Sequence, residues 1–247
     1  MKTSDLISRI EDFAPPSLAS QWDNSGWQIQ LEDNETNKVM IVLTPSIDVV
    51  NQAIQNDCQF ILSHHPLMFS KTNTISENNV IHKAIIKAIQ NNIAIYCAHT
   101  NLDRTQNGVS DYAAKALGLN NIFEFEEFVK IGEFDESKTL EETINLVKKT
   151  FGCKALKLTN PSNLQQIKKV AIGPGSCGEF VPMLKNIDLY ITGDVKYHTA
   201  LEVENFALID AGHYETEKIY LNELKKLIES FGLEAIIANE SEPWDFV

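Results

Sequence analysis

Val39–Pro66 reads VMIVLTPSIDVVNQAIQNDCQFILSHHP, and this stretch decides the fold. Val39–Leu43 is a short, β-branched apolar run of the kind that forms a strand buried on both faces. Ile47, Val50 and Ile54 then recur at helical spacing across Ile47–Gln55. Phe60–Leu62 is a second strand, and it runs straight into Ser63-His64-His65-Pro66. Further along, Val80–Ile89 places Ile81, Ile85 and Ile89 on one helix face. Ile93–Ala98 is a third strand, running into His99-Thr100-Asn101-Leu102-Asp103. Strand and helix in strict alternation give a βαβαβ unit with a parallel sheet.

The second half repeats the plan. Lys169–Ile172 is a strand followed by Gly173-Pro174-Gly175-Ser176, and Glu179–Lys185 is a short helix. Asp188–Thr192 is a strand ending in Gly193-Asp194, Tyr197–Asn205 is helical, and Phe206–Asp210 is a strand ending near Gly212-His213. Between the halves lie a strand at Val129–Phe134, a helix from about Leu140 to Phe151 with a Thr139/Glu142 capping box, and a strand at Lys154–Leu158. A helix at Thr216–Phe231, stopped by Gly232, and a strand at Leu233–Ala238 close the chain. The expected fold class is α/β, with two similar βαβαβ lobes. Residues 1–125 with 215–247 are expected to form the first lobe and 126–214 the second.

The chain has 247 residues, 21 Lys+Arg against 34 Asp+Glu, and a net charge of −13. That acidity argues against bulk nucleic-acid or anionic-membrane binding, since both need a basic face. No apolar run reaches the roughly 18–20 residues of a membrane span. The N-terminal MKTSDLISRIEDF is acidic and helical in pattern, unlike a signal peptide, so a cytoplasmic protein is expected. Cys58, Cys97, Cys153 and Cys177 form no CxxC pair and read as reduced core thiols.

In open α/β sheets, ligands bind beyond the carboxyl ends of the strands. His64, His65, His99, Asp103, His213 and Glu217 all stand at such ends, so lobes facing each other would gather them in one cleft. His64 and His65 are adjacent and leave an extended backbone on opposite sides, which suits two ions better than one. His213 and Glu217, like His99 and Asp103, are i and i+4 and share a helix face. Imidazole with carboxylate suits a divalent transition metal, and a two-metal centre polarises substrate and water. His82, in mid-helix, reads as structural or exposed. His198 is either a proton carrier or a helix-surface residue.

Two further motifs bear on the site. Gly173-Pro174-Gly175-Ser176-Cys177-Gly178 fits GxGxxG after a strand, and Asp194 ends the next strand, as in a dinucleotide-binding unit. The short following helix and Pro182 argue against that reading. The turn then serves either to hold an anion or simply to let backbones approach closely. Gln21-Trp22-Asp23-Asn24-Ser25-Gly26-Trp27 reads as a turn in which Asp23 and Asn24 cap while the tryptophans pack, the alternative being that Asp23 and Asn24 reach the cleft. Trp244 is likewise expected to pack.

The ordered motifs WDNSG, SHHPLMF, AHTNLD, ITGDVKYHTALE and DAGHYETE resemble the YbgI-like, or Nif-three-like, family, whose bacterial members carry the name GTP cyclohydrolase 1 type 2. The resemblance runs from about Trp22 to Glu217. It implies two divalent metals in the cleft between the lobes, held by His64, His65, Asp103, His213 and Glu217, with Glu217 bridging and His99 beside the site. It also implies a toroidal homohexamer. Thr44 stands where family members often have Asp, and the Gly-rich turn is interrupted by Pro174, Cys177 and Glu179. The metals would be Zn, Mn, Fe, Co or Ni. The implied activity is hydrolysis of a nucleotide or related heterocycle, in GTP the opening of the imidazole ring with loss of C8 as formate. His99 and His198 are the candidate proton carriers. The competing expectation is a non-enzymatic metal-binding scaffold, metal chaperone or regulatory interaction protein, since binding and catalysis use the same ligands.

Overall fold

In the computed structural model, which describes residues 1–244, the chain divides into two units. One is Met1–Thr105 with Leu221–Ser241, and the other is Gln106–Tyr220 with the described residues after Ser241. The last three positions of the expected 215–247 segment lie outside the described residues.

The first unit begins with α1 (Thr3–Phe13), a 3-10 turn (Pro16–Leu18), β1 (Gly26–Ile29) and β2 (Lys38–Val42). It continues through α2 (Ile47–Gln55), β3 (Phe60–Ser63), α3 (Val80–Gln90), β4 (Ala94–Cys97) and α4 (Thr100–Arg104). The second unit holds α5 (Val109–Ala116), β5 (Asn120–Glu126), β6 (Val129–Thr139), α6 (Leu140–Phe151), β7 (Lys157–Thr159) and β8 (Gln166–Ile172). A 3-10 helix (Gly178–Met183), β9 (Leu189–Thr192), α7 (Tyr197–Leu201), β10 (Ala207–Asp210) and α8 (His213–Lys218) complete it. The chain then returns to the first unit as α9 (Leu221–Ser230) and β11 (Glu234–Ile237).

The first sheet has the order β1-β4-β3-β2-β11. Its four strands from β4 to β11 are parallel; α2 and α3 make the crossovers β2–β3 and β3–β4 that the sequence predicts, and β11 joins β2 after α9, once the chain has returned from the second unit. β1 adds an antiparallel edge, pairing Gly26 with Cys97 and Trp27 with Tyr96. The second sheet has the order β5-β6-β8-β9-β10-β7. Only its centre, β8-β9-β10, is parallel, and β5, β6 and β7 run antiparallel. Both sheets are therefore mixed rather than purely parallel.

Alternation along the central strands sorts side chains to opposite faces. In the second sheet Val170, Ile172, Leu189, Ile191 and Ile209 pack with Val147 and Phe151 of α6. Ala171, Tyr190 and Leu208 face the other way and pack with Phe180 and Val181 of the 3-10 helix. In the first unit Met40, Val42, Ile61 and Ile95 pack with Val49, Val50 and Ala53 of α2 and Ala84, Ile85 and Ala88 of α3.

Several expectations are corrected. The helix predicted for Tyr197–Asn205 ends at Leu201, since Val203 and Phe206 turn into the core that lines the sheet. The helix predicted for Thr216–Phe231 is two, α8 and α9, broken where the chain leaves the second unit after Tyr220. Tyr220 is held there by its hydroxyl, which donates to Asn107 O at 2.8 Å. The aromatic turn at residues 21–27 gives way to β1 at Gly26, and Trp27 packs on Phe60 and Tyr96 while Trp22 and Trp244 are exposed. The strand at Val129–Phe134 runs on to Thr139, and the one at Lys154–Leu158 is displaced to Lys157–Thr159.

Candidate metal centre

In the first unit the site residues sit where β3 and β4 end. His64 and His65 follow Ser63 directly, and their amide groups donate to Val42 O at 3.1 Å and Leu43 O at 2.8 Å, prolonging the parallel ladder. His99 follows β4 and starts α4, which carries Asp103. His64, His65, His99 and Asp103 are all buried. One ligand nitrogen from each of the three histidines lies within 4.8 Å of the other two. Asp103 Oδ1 stands 3.6 Å from His64 Nε2.

Each of these rings is oriented through Nδ1. His64 Nδ1 donates to Ala98 O at 3.1 Å, which a carbonyl can only accept. His65 Nδ1 bonds Thr44 Oγ1 at 2.8 Å. His99 Nδ1 donates to Asp23 Oδ1 at 2.8 Å. Burial would raise the Asp23 carboxyl, but hydrogen bonds from His99, Ser25 and Thr100, with the charge of His99, hold it well below the usual carboxylate range. Thr44 is in turn fixed by Glu240, whose carboxylate accepts from Leu43 N at 2.6 Å and Thr44 N at 2.9 Å. A histidine that binds metal through Nε2 has its Nδ1–H held in this way by a carbonyl, carboxylate or hydroxyl.

In the second unit His213 and Glu217 lie one turn apart on α8, at the exit of β10. His213 Nε2 is 3.1 Å from Glu217 Oε2, and His213 Nδ1 donates to Asp194 Oδ2 at 2.8 Å. Burial favours neutral His213, but the charge of Glu217 and hydrogen bonds to Asp194 and Glu217 override it and push the imidazole up to about 10. Asp194 is lowered, chiefly by the His213 hydrogen bond. The Gly173–Gly178 turn packs on this pair. Gly175 has φ +71°, and a Cβ there would sit 2.1 Å from Glu217 Oε1. Gly175 N donates to Thr216 Oγ1 at 2.9 Å and Gly175 O accepts from Gly193 N at 2.8 Å. Gly175 thus serves close approach to α8, while a Cβ on Gly173 would meet Cys177 and Tyr190.

The structure brings His64, His65, His99 and Asp103 together in one unit, and His213 with Glu217 in the other. His198 stands exposed on α7, its ring against Tyr197, and belongs to neither cluster among the described residues. His82 is structural, its Nδ1 accepting from Ser76 N at 3.1 Å. The sequence reading assigned Asp23 a capping role; it caps Asn24 N at 2.7 Å and also holds His99. Asp194, read as the acidic residue of a nucleotide fingerprint, instead orients His213. The four cysteines are buried and form no disulfide. Burial pushes the Cys58 and Cys153 thiols up to about 11, which keeps them protonated core residues. No helix among the described residues is long and apolar enough to cross a membrane.

The donor set could hold a divalent transition metal: imidazoles oriented through Nδ1, carboxylates, and no thiolate. Residues 1–243 match the model of the Duf34/NIF3 (NGG1p interacting factor 3) family. A protein of Clostridium acetobutylicum named GTP cyclohydrolase 1 type 2 homolog is 34% identical over 230 residues, which cover 88% of this chain and 85% of that protein. The solved structure of reduced HcgD from Methanocaldococcus jannaschii superposes with a TM-score of 0.85 at 30% identity, covering 96% of this chain and 97% of that one. A Bacillus cereus protein related to NIF3 gives 0.88 at 22% identity, over 100% and 99% of the two chains. With the motifs, the mixed two-sheet α/β architecture and the whole-chain match in agreement, the chain belongs to the Duf34/NIF3 family.

Proposed function

We propose that the chain is a dinuclear, divalent-metal-dependent hydrolase acting on a nucleotide or related heterocycle, a substrate class in keeping with the name GTP cyclohydrolase 1 type 2 homolog that its relatives carry. In this reading His64, His65 and Asp103 of the first unit and His213 and Glu217 of the second would hold the metals. Zn, Mn, Fe, Co and Ni all fit these ligands. The bound ions supply Lewis acidity and positive charge to the substrate and to water. His99, fixed by Asp23, presents Nε2 for a proton, and His198 is the second candidate carrier. A homohexamer in the cytoplasm is part of the same reading. The observation that carries it is the treatment of the histidines: His64, His65, His99 and His213 each have Nδ1 engaged, which directs Nε2 to a ligand.

Elemental analysis of the freshly purified protein tests the centre, and formate release from GTP within a panel of hydrolase substrates tests the activity. Two metals per chain, lowered by His65→Ala and by Glu217→Gln with turnover abolished, is the expected result. Absence of bound metal would sink it. The family description, NGG1p interacting factor 3, supports a second reading in which the metal centre belongs to an interaction protein. That reading requires the same substitutions to abolish binding of a protein partner while no substrate in the panel is turned over.

A further inference from the structure

Two large aromatic side chains stand exposed beside His99. Trp22 is 65% exposed and Phe69 62%. The Trp22 ring meets His99 edge-on at 6.1 Å between centroids, and the Phe69 ring does so at 5.7 Å. Their two loops are stapled together. Asn24 Nδ2 donates to Met68 O at 2.7 Å, Met68 N donates to Gln28 Oε1 at 3.1 Å, and Gln28 Nε2 donates to Asn24 O at 2.7 Å. Trp22 is anchored further by its neighbour Asp23, which grips His99.

Exposed apolar rings are ordinarily dispensable when scattered singly. Here two rings on cross-linked loops flank the same imidazole, and that imidazole lies within 4.8 Å of two further histidine nitrogens. Aromatic faces held rigidly at the mouth of a polar site take planar rings, since stacking needs little ordering of either partner.

We propose that Trp22 and Phe69 form the binding platform for the planar heterocycle of the substrate, seating it by stacking with its edge toward His99. This rests on the hydrolase reading above for the identity of the substrate class, and it deepens that reading by assigning the residues that select a flat ring. Neither residue is a metal ligand, so the platform acts in metal-free protein as well.

The test is binding of guanosine, which lacks phosphates, to chelator-treated full-length protein, followed by calorimetry and by intrinsic fluorescence. Guanosine is expected to quench tryptophan emission in the wild type. Trp22→Ala and Phe69→Ala should each weaken binding about tenfold, in line with one lost aromatic stack. Trp22→Phe should retain most of the affinity while losing the quenching, a rescue that a purely structural role would not produce. Unchanged affinity in both alanine variants, or no binding of guanosine to the wild type, overturns the platform. So does a change in oligomeric mass in the alanine variants with guanosine binding intact, which would assign the rings to a contact between copies. Guanosine binding that obeys these expectations, with no turnover by metal-loaded protein, leaves the platform standing and removes the hydrolase reading.

Discussion

At His65 the partner of Nδ1 is a neutral hydroxyl, at His64 a carbonyl, and at His99 and His213 a carboxylate. The hydroxyl of Thr44 stays in place because Glu240 binds the backbone around it. Thr44→Val is isosteric and removes the bond to His65. It should weaken metal binding about tenfold, the usual scale for losing such a partner, while Thr44→Ser should not. Competition against a chromogenic chelator measures this, and equal affinities for Val and wild type would refute it. Gly175 gives a second residue-level case. Alanine there places Cβ 2.1 Å from Glu217 Oε1, the far end of a flexible side chain, so the carboxylate swings away while the backbone holds. The positive φ adds about 1–2 kcal/mol of strain. Gly193→Ala meets His213 N at 2.5 Å, Gly212 C at 2.6 Å and Gly175 O at 2.8 Å, all backbone atoms that cannot swing aside. Thermal melts should therefore show Gly193→Ala as the more damaging, with Gly175→Ala losing metal ahead of stability.

Among the elements, α6 is the one whose ends are written most plainly. Thr139 Oγ1 accepts from Glu142 N at 3.1 Å, and Glu142 Oε2 accepts from Thr139 N at 2.8 Å, the reciprocal capping box that the Thr139/Glu142 spacing predicts. Gly152 closes the other end at φ +68°. Thr139→Ala should cost about 1 kcal/mol in urea unfolding, with bound metal unchanged because α6 carries none of the candidate ligands. A loss of metal would show that α6 positions the site. Elsewhere local periodicity misleads. Apolar spacing runs unbroken through the α8–α9 junction, yet Tyr220 is tied to Asn107, far away in sequence, and the helix breaks there. β1 is masked for a different reason: it is only four residues long and its start overlaps the aromatic turn at residues 21–27, although Trp27 and Ile29 do alternate with Gln28 and Gln30.

For the whole molecule, the charged groups that orient the histidines make stability depend on pH from both sides in metal-free protein. The Asp23 carboxyl is lowered, so its contribution is fully present above its ordinary value of 3.8 and is lost as pH falls toward its depressed value. Asp23→Asn should cost about 2 kcal/mol at neutral pH, the scale of a buried hydrogen bond to a charged group. It should also flatten the decline of the urea midpoint below pH 4, and an unchanged decline would refute the assignment. His213 acts with the opposite sign. Its pKa is raised from 6.5 to about 10, so its contribution is complete below 6.5 and disappears as pH climbs through about 10.

What the chain's residues determine by themselves is the alternation of strands and helices, the exits of β3, β4 and β10, and the donor types placed there. Those features are local: a strand needs a few successive apolar residues, and His213 with Glu217 needs one helical turn. Which groups hold the histidines was decided by tertiary structure alone. Asp23 reaches His99 across 76 positions, Ala98 O reaches His64 across 34, Thr44 reaches His65 across 21 and Asp194 reaches His213 across 19. No periodicity of 2 or 3.6 residues links such pairs, because they are brought together by the pairing of strands in a sheet rather than by the geometry of any one element.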